Sequence, residues 1–214
     1  MHRVRLGRLL LAGLLMIGGC GGSAGGDQPR AGAPPGGWRT AGCQFSRAPE
    51  YTMMGGIRMP VTPAPLRAAM ERIERGGRMR FPESFAGIEV DQLRVRAIVY
   101  RVPATSAEFD DFIRQAAENT CIHVRDAAHA AAELGAWHDR VVTDLAFWAA
   151  RGVHIVTVGS RHDGAGVEIG TRDVERARSE LPVHYGPEAP LIFIEHGPIT
   201  PLAGGGPAVP EPGD

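Results

Sequence analysis

Lysine is missing from this sequence: the 23 basic residues of its 214 are all arginine. They are scattered and matched by 24 acidic residues, for a formal net charge of −1. That balance leaves no global field to favour nucleic acid or an anionic membrane. The all-arginine usage, with 29 glycines and 17 prolines, reads as codon bias of a GC-rich genome and not as dense phosphate recognition. No apolar run approaches the roughly 20 residues needed to span a bilayer as a helix. Cysteine is scarce too, with only three residues. No internal repeat is visible. What remains is a globular composition, 43% hydrophobic and 22% charged, long enough for one domain of ordinary size with tails.

The N-terminus has the three parts of an export signal. Arg3, Arg5 and Arg8 precede the apolar run Leu9 to Ile17, and the small residues Gly18 and Gly19 precede Cys20. The stretch Ile17-Gly18-Gly19-Cys20 resembles the bacterial lipobox, in which the cysteine is lipidated and the signal then cut before it. That resemblance implies a diacylglyceryl Cys20 with palmitate-type chains, and a location on the extracytoplasmic side of the cell membrane. One acyl chain holds marginally and two or more hold stably, at about 0.8 kcal/mol per buried methylene.

Composition divides the chain into a signal peptide (1–19), a lipidated Gly/Pro/Ala-rich tether (20–42), one folded domain (43–196) and a tail (197–214) with little to bury. Thr62 and Pro63 open a helix carrying Leu66, Ala69, Met70 and Ile73, which Gly76-Gly77 is expected to stop. Val95, Ala97 and Val99 alternate as a strand. Thr105-x-x-Glu108 reads as a capping box before the stripe Phe109, Phe112, Ile113 and Ala116. A long helix is expected over 126–150. Two strands follow, 153–158 and 166–169, joined by the turn 159–164. A helix capped by Thr171 and stopped at Pro182, then the strand 191–195, complete the domain. Counting the two middle helices as one crossover gives an α+β fold of ferredoxin-like, split β-α-β type. It comprises a four-stranded antiparallel sheet with helices on one face, preceded by an extra helix.

Two cysteines remain after lipidation. Cys43 and Cys121, in an oxidising compartment, are expected to form a disulfide. The search for chemistry returns little. Ser160 lacks the first glycine of G-x-S-x-G and leads to a strand, not a helix. Gly164-x-Gly166-x-x-x-Gly170 has the wrong spacing for a dinucleotide fingerprint. No P-loop, H-E-x-x-H or C-x-x-C occurs, so no catalytic residue and no cofactor is assigned. The residual metal candidates are His123, Asp126, His129 and His162. The residual binding candidates are Ser160, Arg161, His162 and Asp163 on the turn, because loops carry sites.

The run Phe85-Ala86-Gly87-Ile88-Glu89-Val90, the strand after it, and the later helix–hairpin unit ending in Gly166-Val167-Glu168-Ile169 resemble, distantly, pro-domain modules of secreted alpha-lytic-type serine proteases. That resemblance implies a part played by binding, as folding assistant and inhibitor, with no residue carried over. The layout is also similar to that of uncharacterised lipoproteins of GC-rich bacteria, which implies no activity. The expectation is therefore a membrane-anchored, non-enzymatic binding domain with the bilayer, through Cys20, and an envelope protein as partners. The alternative is a small metal-dependent enzyme or sensor using the His123–His129 region or His162.

Overall fold

A computed structural model describes residues 36–197. The expected signal peptide, the lipidation site Cys20, most of the tether and nearly all of the tail lie outside the described residues. The fold is α+β, with five α-helices and nine strands in three sheets among the described residues. Strand β1 (Gly37–Arg39) lies within the stretch read as tether. It pairs antiparallel with β6 (Ile122–Asp126), and Trp38 packs against the first core. Strands β2 (Glu50–Met54) and β3 (Ile57–Val61) form a separate two-stranded ribbon.

After the ribbon the same order of elements occurs twice. The first set is α1 (Ala64–Arg80), β4 (Phe85–Asp91), β5 (Arg96–Arg101), α2 (Ala107–Ala117) and β6. The second is a helix broken into α3 (Ala131–Thr143) and α4 (Leu145–Ala150), then β7 (Ile155–Ser160), β8 (Val167–Thr171), α5 (Val174–Tyr185) and β9 (Leu191–Glu195). In each set a hairpin is followed by a helical crossover to a third strand, parallel to the central one: β4-β5-β6 and β7-β8-β9. Parallel neighbours require such a crossover. Even the irregularities match, since the hairpin register slips between Phe85 and Gly87 in one set and between Ile155 and Thr157 in the other. Each set has its own core. Leu66, Ile73, Phe85, Val99, Phe109, Ile113 and Val124 fill the first, and Leu134, Val141, Trp148, Ile169, Leu181 and Tyr185 the second. The chain is thus a tandem αββαβ duplication, a repeat the residue identities conceal.

The single ferredoxin-like antiparallel sheet is corrected accordingly. The four-stranded sheet is mixed, in the order β1-β6-β5-β4, and 153–171 and 191–195 contribute to a second, three-stranded sheet. The cause is β6. Its alternation Ile122-His123-Val124-Arg125 is only four residues long and abuts the segment read as a helix from Asp126. Omitting it merges two crossovers into one. Three local expectations also shift. Helix α1 runs through Gly76 and Gly77, because these glycines make room for rings: a Cβ at Gly76 would collide with Phe112, and one at Gly77 with Phe85. The capping box does not form, since the Thr105 hydroxyl donates to Glu83 O and accepts from Ser84 Oγ. Thr171 does not cap α5 directly; its hydroxyl donates to His154 O at 2.9 Å and accepts from the Asp173 amide, while α5 continues past Pro182 to Tyr185.

The Cys43–Cys121 disulfide is present, with a sequence separation of 78. It ties the short 3-10 turn Ala41–Gln44 to the start of β6. No helix of the described residues is long and apolar enough to cross a membrane.

Candidate functional site

The turn singled out by sequence, 159–164, lands on the first half. Its carbonyls and glycines approach the sheet closely: a Cβ at Gly87 would strike the His162 carbonyl, and one at Gly164 would meet Ala86, Ala127 and the His129 carbonyl. A backbone hydrogen bond fixes the junction, His129 N donating to Gly164 O at 3.1 Å. His162 Nε2 lies 2.8 Å from Glu89 Oε2, and the Tyr100 hydroxyl donates to Glu89 Oε1 at 2.9 Å. The Tyr100 phenol is pushed up to about 12 by burial and by the neighbouring Glu89 carboxylate, so it stays protonated and keeps donating.

Within the turn, Arg161 grips Asp163 at 2.7 Å and reaches Glu168 at 3.3 Å. Hydrogen bonding from Arg161 holds the Asp163 carboxyl below its ordinary range, and that carboxylate also accepts from the Ala165 amide at 3.0 Å. Ser160 Oγ donates to Leu134 O at 3.1 Å. Of the four candidates only His162 clasps the first half, through Glu89, while Ser160, Arg161 and Asp163 bond within the second half and fix the turn. Glu89 and Tyr100, the receiving side of the clasp, carried no signal of their own. Only their alternation on β4 and β5 could have placed them on one sheet face.

The histidine and aspartate candidates do not converge. His123 and Asp126 both lie on β6, but a spacing of three in a strand puts them on opposite faces. Asp126 shares the helix-covered face with Ile122 and Val124, where Arg101 bridges it at 2.7 Å and Asp110 of α2 at 2.8 Å. His129 pairs with Glu133 at 2.9 Å. His123 sits beside the disulfide: ligand-type atoms of Cys43, Cys121 and His123 lie within 4.8 Å of one another. The two sulfurs are bonded to each other and so are not thiolates. The surroundings are basic. Burial first, then Arg96, Arg39 and Arg125, hold the His123 imidazole below its ordinary value, opposed by Asp91.

Two grooves lie between helices at matching places in the duplication. One, of about 610 Å³, runs between α4 and α5 and is lined by Phe147, Trp148, Arg151, Arg176, Val183 and His184. Behind it Trp148 Nε1 donates to the Tyr185 hydroxyl at 2.8 Å, which donates to Asp144 at 3.0 Å. The other, of about 470 Å³, lies between α1 and α2 and includes Arg72, Arg75, Met79, Arg80 and Phe112.

Among the described residues, the β2–β3 ribbon presents a run of uncovered apolar side chains. Tyr51, Met53, Met54, Ile57 and Met59 are all exposed, as is the nearby Phe45. Sequence reading missed this ribbon; Gly55-Gly56 between short apolar runs, the pattern of a tight hairpin turn, is the signal that could have found it. Comparison with protein-family models, curated proteins and solved structures gave no match to this chain.

Proposed function

We propose that the protein is a lipid-anchored, extracytoplasmic lipoprotein whose duplicated domain works by binding and not by catalysis. The observation that carries this reading is a division of labour among side chains. Four of the candidate residues are engaged in separate structural pairs: Asp126 with Arg101, His129 with Glu133, His162 with Glu89, Asp163 with Arg161. The apolar ribbon 50–61, by contrast, lies uncovered, and exposed apolar patches of this kind mark interaction surfaces. The disulfide adds support for an oxidising compartment. The export-type N-terminus with Cys20 supplies the anchor.

The test has two arms. Cys20→Ser is expected to release the chain from lipid attachment, read as loss of labelled palmitate. Crosslinking in the native envelope is expected to give one defined adduct with the anchored chain and none with the Cys20→Ser form. Unchanged acyl labelling after Cys20→Ser would remove the anchor. The same adducts from both forms would remove the dependence of binding on location.

A metal-sensing reading has one observation in its favour, the proximity of Cys43, Cys121 and His123. It requires a reduced bridge, and Arg39, Arg96 and Arg125 oppose a cation there. Stoichiometric zinc retained by the reduced chain and lost in His123→Ala would establish it.

A further inference from the structure

We infer that the tip of the β2–β3 ribbon, Met53 to Ile57, is a second membrane contact that enters the headgroup–acyl boundary of an anionic bilayer; it rests on the anchored reading only for its proximity to lipid. The pairing Met54↔Ile57, Met53↔Arg58, Thr52↔Met59, Tyr51↔Pro60 and Glu50↔Val61 assigns the faces, because directly opposed residues share one. Met54, Ile57, Met59 and Val61 line one face with Thr52 and Glu50, and Tyr51, Met53, Arg58 and Pro60 line the other. The tip is therefore apolar on both sides. Met53 is 65% exposed, Met54 65% and Ile57 66%. A protein partner or second copy laid on the Met54–Ile57 face would leave Met53 in water. A bilayer surrounds an inserted tip on every side.

Behind the tip the chemistry changes in the order that a membrane interface requires. The Arg58 guanidinium lies over the Tyr51 ring, 3.7 Å from its centre. An aromatic ring and a cation at this level match the headgroup zone, where Tyr collects and Arg meets phosphate. Charge complementarity extends along the segment: residues 44–70 carry Arg47, Arg58 and Arg67 against a single acid, Glu50. The turn residues Gly55 and Gly56 both adopt positive φ, 55° and 82°, which closes the ribbon tightly and leaves no side chain to be dragged into lipid. Depth is limited by the backbone. The ribbon's outer edges are unpaired, and unpaired amides and carbonyls are excluded from hydrocarbon. Insertion therefore stops after two or three residues per strand, about 5–10 Å, the depth of interfacial segments.

The test uses the full chain reconstituted in phosphatidylglycerol-containing vesicles, with Ile57→Trp as reporter and the parent chain as background. The added indole is expected to emit to the blue of an exposed indole and to lose intensity to lipids brominated high in the acyl chain. Met53→Glu with Met54→Glu in the same chain is expected to abolish both effects. Water-like emission that bromolipids leave unquenched would overturn the proposal. So would efficient intermolecular crosslinking through Ile57→Cys without quenching, which would assign the ribbon to a second copy. The mass of the peptide containing Cys20 separates the two readings. A quenched indole on an unlipidated chain keeps the ribbon contact and removes the anchor. An unquenched indole on a lipidated chain does the reverse.

Discussion

Replacing Arg101 by methionine is expected to destabilise the protein by about 3–4 kcal/mol. The guanidinium is held between two carboxylates, Asp110 at 2.8 Å and Asp126 at 2.7 Å, and so joins β5 to both α2 and β6. Side-chain exposure is 10% for Arg101, 14% for Asp110 and 30% for Asp126. Methionine keeps the aliphatic packing of the arginine stem, which isolates the electrostatic loss. Removing one partner of a buried pair leaves uncompensated charge and costs roughly 3–5 kcal/mol. The lower part of that range applies because Asp126 is partly wet. For a domain of this size the shift in thermal midpoint is about 10 °C. The decisive control adds Asp110→Asn and Asp126→Asn to Arg101→Met. Without stranded carboxylates, the triple variant should recover more than half of the loss. Urea unfolding monitored by tryptophan fluorescence measures all three proteins. A single-variant loss below about 1 kcal/mol, the range of an exposed pair, would refute the reasoning. A triple variant no better than the single one would do so equally.

Other expected outcomes follow from the same geometry. Removing the disulfide by Cys43→Ser with Cys121→Ser should cost up to about 4.5 kcal/mol by loop-closure entropy for a separation of 78, read as a lowered denaturant midpoint; no change would mean that the unfolded chain is not constrained by the bridge. Gly76→Ala, usually favourable in a helix, should instead destabilise by about 1–3 kcal/mol through its collision with the Phe112 ring, and calorimetry showing a gain would contradict that packing. His123 is held below its ordinary 6.5 by burial and by Arg96, Arg39 and Arg125. Its contribution to stability is therefore complete above pH 6.5 and is lost as pH falls through the lower folded value. Arg96→Gln should move the imidazole titration up, which proton NMR reads directly, and an unmoved titration would refute the arginine's part. Thr171→Val should cost about 1 kcal/mol by removing the hydroxyl that donates to His154 O; unaltered stability would show that this buried bond is dispensable.

What could be read from the sequence was what local patterning controls. Phe109, Ile113 and Ala116 announced α2, Ala97 and Val99 announced β5, and the cysteine pair announced its bridge, because spacing and compartment each carry a physical signal. The duplication was not readable, since matching positions hold unlike residues that satisfy similar geometry by different means. Arg101 ends β5 with two ion pairs, whereas Thr171 ends β8 with a hydroxyl bond to a carbonyl. The clasp was illegible for another reason. His162 and Glu89 are 73 residues apart, and only the folded sheet brings them together. Gly76-Gly77 misled because a helix-breaking pair in sequence became a helix–ring contact in space.

The Cys43–Cys121 bridge has a mechanical consequence. Tension applied through the segment preceding β1 reaches Cys43 and crosses directly to Cys121, bypassing the residues between them. The ribbon, α1, β4, β5 and α2 then form a covalently shielded loop that carries no load, while β6 and the second αββαβ unit stay in the force path. Stretched between residue 36 and residue 197 in an optical trap, the oxidised chain should release only the contour length outside the bridge. Addition of a reductant should release the remainder as a further extension, and its absence would show that tension is not routed through the sulfurs.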